Sequence, residues 1–221
     1  MKIGVIGLGD MGALCARKWS EKGFVVYACD LPANYERLKM SFQDTPVTIV
    51  EEASQVAALA DFVLFAVEAV NIEPVVASVA GVIKSGTIVA GQTSVKGPEI
   101  AAFEKHLTKD IFIFTCHSLH GPAFSTAGQK LIVIPHKTNA DVYAKGMEIY
   151  QALDSQIIEI GTFQQHDKIM ADTQAVTHMG FESMGTAWKN SGFYPWDHGA
   201  YSTGIDNVKI LTTLRIFSYK A

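Results

Sequence analysis

The sequence predicts an α/β protein: a doubly wound, Rossmann-type, mostly parallel sheet, followed by the beginning of an all-helical domain. Three observations predict it. Apolar runs of strand length alternate with longer amphipathic stretches as far as residue 164. Most of these runs are continuously apolar rather than alternating, as in strands covered on both faces. A glycine-rich turn stands between the first run and the first helical pattern, where an open α/β sheet holds its ligand.

The elements follow in order. Residues 2–6 (KIGVI) are the first expected strand and 11–22 the first helix. Strands are then expected at 25–29, 61–67 (DFVLFAV), 87–91 (TIVAG), 111–116 (IFIFTC), 131–135 (LIVIP) and 156–160. Amphipathic helices are expected at 51–59, 75–83, 98–106 and 139–153. Parallel strands need crossover connections, so strand–helix alternation is solved by helices on both faces of one sheet. After residue 164 the texture changes: one long helix is expected at 166–189, a glycine- and aromatic-rich stretch at 190–203, and a further helix at 206–220. The expected domains are therefore 1–164, binding a dinucleotide, and 165–221, opening a helical substrate and dimerisation domain. The final VKILTTLRIFSYKA stops inside a helix-like pattern, so the helical domain is expected to be truncated.

With 221 residues, 48% hydrophobic and 18% charged, the chain has enough apolar surface for a large core. A net charge of −4 gives no reason to expect nucleic acid or an anionic membrane as partner. Cys15, Cys29 and Cys116 lie far apart with no CxxC, which fits reduced thiols packed as small apolar groups. No apolar run approaches a membrane span of about 18 residues, and MKIGVIGLGDMG lacks the features of a signal peptide. A cytoplasmic protein is expected.

Gly7-Leu8-Gly9-Asp10-Met11-Gly12 is a GxGxxG between a strand and a helix. Gly7 would allow the tight turn, Gly9 the approach of a pyrophosphate, and Gly12 close packing of helix on strand. The helix start at Asp10 and Met11 would offer N–H groups and a partial positive charge to phosphates. Asp30 ends the second strand, where an acid takes ribose hydroxyls, and Val67 ends the third at the same edge. Asp30 by itself favours NAD, since it would repel a 2′-phosphate, although Arg37 and Lys39 lie near.

Two polar clusters fall at the carboxyl ends of strands: Gln92-Thr93-Ser94-Val95-Lys96 and His117-Ser118-Leu119-His120-Gly121-Pro122. A histidine there is the natural base for removing a hydroxyl proton during hydride transfer, though a strand-end histidine can also simply cap backbone. A metal site from His117, His120 and His178 lacks a completing carboxylate or cysteine, so no metal is expected. Ser94 has no triad that would make it a covalent nucleophile. Met170, Gln174 and His178 share one face of the long helix, which is either a polar packing face or a substrate-facing stripe. Arg215, in an apolar helix, either snorkels or pairs with an anion.

At these residues the chain resembles prephenate dehydrogenase, most closely the fungal enzymes of tyrosine biosynthesis. The matching stretches are IGVIGLGDMG, GQTSVKGPEIAAFEK, HSLHGP, HDKIMADTQAVTHMGFESMGTAW, YPW and NVKILTTLRIFS. The resemblance implies oxidative decarboxylation of prephenate to 4-hydroxyphenylpyruvate. It implies His117 as the catalytic histidine on the ring hydroxyl and Ser94 as support for the same hydroxyl. His178 corresponds to a second active-site histidine, with Gln174 beside the substrate, and Arg215 to the arginine on a substrate carboxylate. It implies NADP, with NAD as the alternative, and a homodimer through the helical domain at full length.

The sequence departs from the pattern in three places. Many bacterial relatives carry an acid before the glutamine of the Ser94 loop, where this chain has Gly91; positions 174 and 175 are Gln and Ala where many have Ser and His. A β-hydroxyacid dehydrogenase is the runner-up, since GLGDMG also resembles that opening. That family places a lysine on its long helix and a glycine-rich serine loop, where this chain has His178 and QTSVKGP. A truncated, non-catalytic NADP-binding module is the third reading.

Overall fold

A computed structural model describes residues 1–123, 125–197 and 204–218. Its contacts divide the chain into two compact units, Met1–Asp167 and Lys168–Ala221.

The first unit is built in this order: β1 (Lys2–Ile6), α1 (Asp10–Glu21), β2 (Val25–Cys29), α2 (Tyr35–Ser41), β3 (Thr48–Ile49), α3 (Ala53–Leu59), β4 (Phe62–Phe65), α4 (Ile72–Val79), β5 (Ile88–Gly91), α5 (Lys96–His106), β6 (Phe112–Ser118), β7 (Lys130–Lys137), α6 (Ala140–Gln151), β8 (Gln156–Glu159) and the first residues of α7 (Phe163–Met170). The strands form one sheet in the order β3-β2-β1-β4-β5-β6-β7-β8. From β3 to β6 every pairing is parallel. The order reverses between β1 and β4, which opens a crevice at their carboxyl ends.

One pairing breaks the parallel rule. β7 runs antiparallel to β6, and β8 runs parallel to β7. The cause is the connection: no helix lies among the described residues between β6 and β7, so the chain returns without a crossover, whereas α6 supplies one before β8. A register irregularity between Ile113 and Thr115 bends β6 just before its last residues.

Each sheet face has its own core. On one, Trp19, Phe62, Phe114 and Tyr150 are fully buried and meet edge to face. Trp19 Nε1 donates to the Ile149 carbonyl at 2.8 Å, and the Tyr150 hydroxyl donates to the Phe114 carbonyl, so both polar tips are satisfied. Phe65, Val76, Ile100 and Phe103 fill the other face. The cysteines are buried and form no disulfide, and burial is the main influence raising each thiol, to about 12 at Cys29 and Cys116.

The second unit holds the rest of α7, a π-helical turn at Ala171–Ala175, α8 (Val176–Ser191) and α9 (Ile205–Ser218). The long helix expected at 166–189 is thus interrupted by one wide turn. α8 stops at Gly192, which takes the left-handed conformation at φ 66°. α8 and α9 meet where Gly185 admits the Phe217 ring: a Cβ at 185 would lie 2.2 Å from it. Residues 198–203 and 219–221, parts of the aromatic stretch and last helix expected from sequence, lie outside the described residues. Among the described residues no helix is long and apolar enough to cross a membrane.

Candidate active site

The glycine turn has the shape its residues predict. Gly7 takes φ +98°, and a Cβ there would lie 2.4 Å from the Ala66 carbonyl oxygen and 3.0 Å from Val67 Cγ1. A Cβ on Gly12 would lie 2.0 Å from the Gly7 carbonyl oxygen, so helix and turn meet at backbone contact. Gly9, in contrast, faces open space, with nothing within 4 Å of an added Cβ. It caps α1 with no side-chain hydrogen bond. The first N–H groups of α1, from Asp10 and Met11 onward, therefore present an uncapped helix start beside an open glycine, a cradle that fits a pyrophosphate. Val67 follows β4, half-buried against Gly7.

Asp30 stands at this crevice, but its carboxylate is already engaged. Oδ2 accepts from the Leu8 N–H at 2.6 Å, and Oδ1 accepts from the Leu31 N–H at 2.8 Å and the Asn34 amide at 2.7 Å. A carboxylate has about four lone-pair positions, so most are used in tying the glycine turn to the loop after β2. Sequence reasoning missed Asn34, whose part depends on how that loop folds back.

The serine loop joins β5 to α5, and Ser94 is exposed on it. Beneath it lies a fully buried ion pair. Lys96 Nζ stands 3.0 and 3.1 Å from the Glu99 oxygens and also donates to the Gly91 carbonyl at 3.0 Å and to Thr115 Oγ1 at 3.2 Å. Glu99 accepts from the Thr93 hydroxyl and N–H and from the Thr115 hydroxyl. A Cβ on Gly91 would lie 2.0 Å from Glu99 Oε2. A carboxylate from α5 thus fills the space that a side chain at position 91 would need. Gln92 completes the join, donating to Ser118 Oγ at 2.6 Å and accepting from the Cys116 thiol at 3.1 Å.

His117 lies near the carboxyl end of β6, which runs parallel to β5, so it shares the crevice edge with the serine loop. It is 6% exposed, and its Nδ1 is 3.0 Å from His166 Nε2. Burial, then the nearby Lys96 and His166, lowers its pKa to about 3 against a smaller opposing pull from Asp167. The imidazole is therefore neutral at ordinary pH. His166 Nδ1 is 2.8 Å from Asp167 Oδ1, and burial is the main cause of its lowered pKa. Burial works against ionisation of Asp167, but hydrogen bonds from the Lys96 backbone, His166 and the Gly97 backbone together hold it below the usual carboxylate range. Sequence reasoning missed His166 and Asp167 as well: they are neighbours in the HDK block, and only the fold brings them to β6 and α5.

His120 does not join His117. Its Nδ1 lies 3.0 Å from the Gly121 carbonyl oxygen, and its Nε2 is buried without a hydrogen-bond partner. Gln174, His178 and Arg215 belong to the second unit. Gln174 sits in the π-helical turn, His178 on the exposed side of α8 and Arg215 on α9. π-Turns inside helices occur often at functional sites, and this one contains Gln174 and ends just before the helix that carries His178.

Residues 2–161 match the family described as the NAD binding domain of 6-phosphogluconate dehydrogenase. Residues 175–221 match a family described as a 6-phosphogluconate dehydrogenase C-terminal domain. The chain is 44% identical over 224 residues to prephenate dehydrogenase [NADP(+)] of Saccharomyces cerevisiae, covering 99% of this chain and 49% of that one. It is 40% identical over 219 residues to the probable prephenate dehydrogenase [NADP(+)] of Schizosaccharomyces pombe, covering 99% of this chain and 51% of that one. It thus spans about half the length of these curated relatives. Among solved structures it shares the fold of A. aeolicus prephenate dehydrogenase in complex with hydroxyphenyl propionate and NAD+, with TM-score 0.79 and 16% identity, over 100% of this chain and 79% of that one.

Proposed function

The chain belongs to the family of the NAD binding domain of 6-phosphogluconate dehydrogenase, and from that premise we propose that it is the dinucleotide-binding part of an NADP-dependent prephenate dehydrogenase. One observation carries the reading: a buried His117 at the carboxyl edge of the sheet, one strand from the Ser94 loop. Both fungal relatives are named as NADP(+) enzymes. The Asp30 carboxylate, engaged by Leu8, Leu31 and Asn34, has few lone pairs left with which to chelate both ribose hydroxyls. Gly7, Gly9, Asp10, Met11, Gly12 and Val67 would frame the cofactor. A cytoplasmic location accords with such a biosynthetic role.

When bound, the oxidised nicotinamide supplies a hydride acceptor. His117 accepts the proton of the ring hydroxyl as the carbon bearing it loses hydride, and Ser94 holds the same hydroxyl in line. Loss of the ring carboxylate as carbon dioxide returns an electron pair to the ring, and His117 gives the proton back to the oxygen of the phenol. Aromatisation drives the step, so the protein mainly positions and desolvates. Gln174, His178 and Arg215 would hold the substrate, a charge-assisted hydrogen bond from arginine to a carboxylate contributing about 1.5–3 kcal/mol. Homodimerisation through the helical unit is part of the proposal; exposed Val208, Leu211 and Leu214 on α9 support it.

The test is to mix the full-length protein with prephenate and each oxidised cofactor and follow reduced-cofactor absorbance. Turnover is expected with NADP, and His117→Asn should lose most of it while still binding cofactor. Near-normal turnover by that variant would remove His117 from the role.

A further inference from the structure

The histidine at the crevice has a line of hydrogen-bonded groups behind it. His117 Nδ1 lies 3.0 Å from His166 Nε2, and His166 Nδ1 lies 2.8 Å from Asp167 Oδ1. Asp167 Oδ1 also accepts from the Lys96 N–H at 2.7 Å, and Oδ2 accepts from the Gly97 N–H at 2.8 Å. These two N–H groups begin α5, a helix of 11 residues, so the carboxylate sits on the positive end of a helix dipole. His166 is fully buried and His117 nearly so.

We propose that His166 and Asp167 are positioning residues that fix the tautomer of His117, leaving its Nε2 lone pair as the one proton acceptor offered to the substrate hydroxyl. An ionised carboxylate only accepts hydrogen bonds, so the proton between Asp167 and His166 belongs to His166 Nδ1. A neutral His166 then has a bare Nε2, which can only accept. The proton between the two rings therefore belongs to His117 Nδ1, and the free lone pair of His117 is on Nε2. The lowered pKa values of all three groups agree with two neutral rings and one ionised carboxylate. The charged and titratable groups packed against His117 are Lys96 from α5 and His166 and Asp167 from α7.

The same carboxylate has a second effect. Lys96 and Gly97 directly follow the Ser94 loop, so one anion fixes both the start of the helix that ends that loop and the ring on the neighbouring strand. When His117 takes the hydroxyl proton at Nε2 it becomes an imidazolium whose Nδ1–H still points at His166 and, through it, at Asp167. The positive charge formed in the step is thus met by a fixed negative one. The proton at Nε2 returns to the phenol oxygen after carbon dioxide leaves, so the relay ends the turnover as it began.

The inference rests on the prephenate reading for its substrate, but its decisive readout needs no substrate. Long-range 1H–15N correlation spectra of the 15N-labelled full chain should show His117 protonated at Nδ1 and bare at Nε2. In Asp167→Asn the neutral amide must set its NH2 against the N–H of Lys96 or of Gly97, so the charged acceptor that fixes His166 is lost and the share of His117 protonated at Nε2 should rise. That variant should bind cofactor normally and lose about 100-fold or more in kcat, the size of a misdirected general base. His166→Leu removes the acceptor and should also lose the fixed tautomer, while His166→Gln, whose amide oxygen can accept from Nδ1–H, should retain more turnover. A wild-type His117 protonated at Nε2 would overturn the relay without touching the prephenate reading, as would folded Asp167→Asn protein with wild-type spectrum and kcat. Absence of prephenate turnover in a wild-type protein with the expected tautomer would overturn the substrate instead and leave the relay standing.

Discussion

Replacing Lys96 by methionine should be among the most damaging single changes in the first unit. Lys96 and Glu99 are both fully buried, with Nζ 3.0 Å from Oε2. The ammonium serves four acceptor atoms: both Glu99 oxygens, the Gly91 carbonyl and Thr115 Oγ1. Without it the Glu99 charge remains in the core, held by Thr93 and Thr115 alone. Thr115 has a single hydroxyl proton but two acceptors within reach, the Gly91 carbonyl and Glu99, so it can serve only one of them at a time. Removing one partner of a buried pair costs about 3–5 kcal/mol. With a urea slope of about 2 kcal/mol per molar, the midpoint should fall by roughly 1.5–2.5 M. The assay is urea unfolding followed by Trp19, which is buried in this unit, with Trp188 and Trp196 changed to phenylalanine. The double variant Lys96→Met/Glu99→Leu should recover part of the loss, because well-packed apolar residues often replace a buried pair without penalty. A midpoint for Lys96→Met close to wild type, or a double variant worse than the sum of the singles, would refute the reasoning.

Gly12→Ala places a Cβ 2.0 Å from the Gly7 carbonyl oxygen; calorimetric titration with NADP should show binding weakened at least tenfold, and unchanged affinity would mean the turn is not the cofactor cradle. Stability should fall as pH drops from about 6.5 toward 3, because the unfolded His117 takes up a proton near 6.5 while the folded one stays neutral to about 3. The loss is on the order of 1.4 kcal/mol per pH unit for each such histidine, and His117→Asn should flatten the slope measured by denaturant titration at stepped pH. Arg215→Gln should raise the KM for prephenate about tenfold or more, since a lost charge-assisted hydrogen bond of about 1.5–3 kcal/mol has that size; an unchanged KM would reject the carboxylate role.

The parts of the fold that could be read from the sequence are those where burial repeats along the chain. Strands such as FVLF at β4 are apolar at every position because both faces are covered, and all four of these residues are buried. β3 has only two residues and α2 only seven, with Leu38 its buried residue, so neither shows a period long enough to recognise. The glycine turn was legible because its demands are local: tight turn, open approach and close packing each exclude a side chain at one position. His117 and Ser94 were legible as polar residues at strand ends.

The supporting groups were not legible, because their meaning is set by distant partners. Lys96 and Glu99 stand at i and i+3, which in a sequence reads as an ordinary solvated pair on a helix. Nothing local shows that both are fully buried. His166 and Asp167 are adjacent, yet they act on a ring 49 positions away and on a helix start 70 and 71 positions away.

Gly91 joins the two cases. As a sequence feature it is a glycine where the resemblance leads one to expect an acid in many bacterial relatives. In the fold it leaves the space that Glu99 fills, its carboxylate 2.0 Å from where a Cβ would stand. The negative charge beside β5 is carried by α5, and that attachment has a consequence for the site. A carboxylate rooted on β5 would hold only its own strand, whereas Glu99, rooted on α5, reaches Thr93 of the serine loop and Thr115 of the histidine strand together. The two loops proposed to meet the substrate hydroxyl are therefore held by one helix. At its start Asp167 holds Lys96 and Gly97, and one turn further in Glu99 holds the strands. Freeing either anchor should then misalign Ser94 relative to His117 as well as weaken the core, so stability and kcat should fall together in variants of α5 that leave every proposed substrate contact intact.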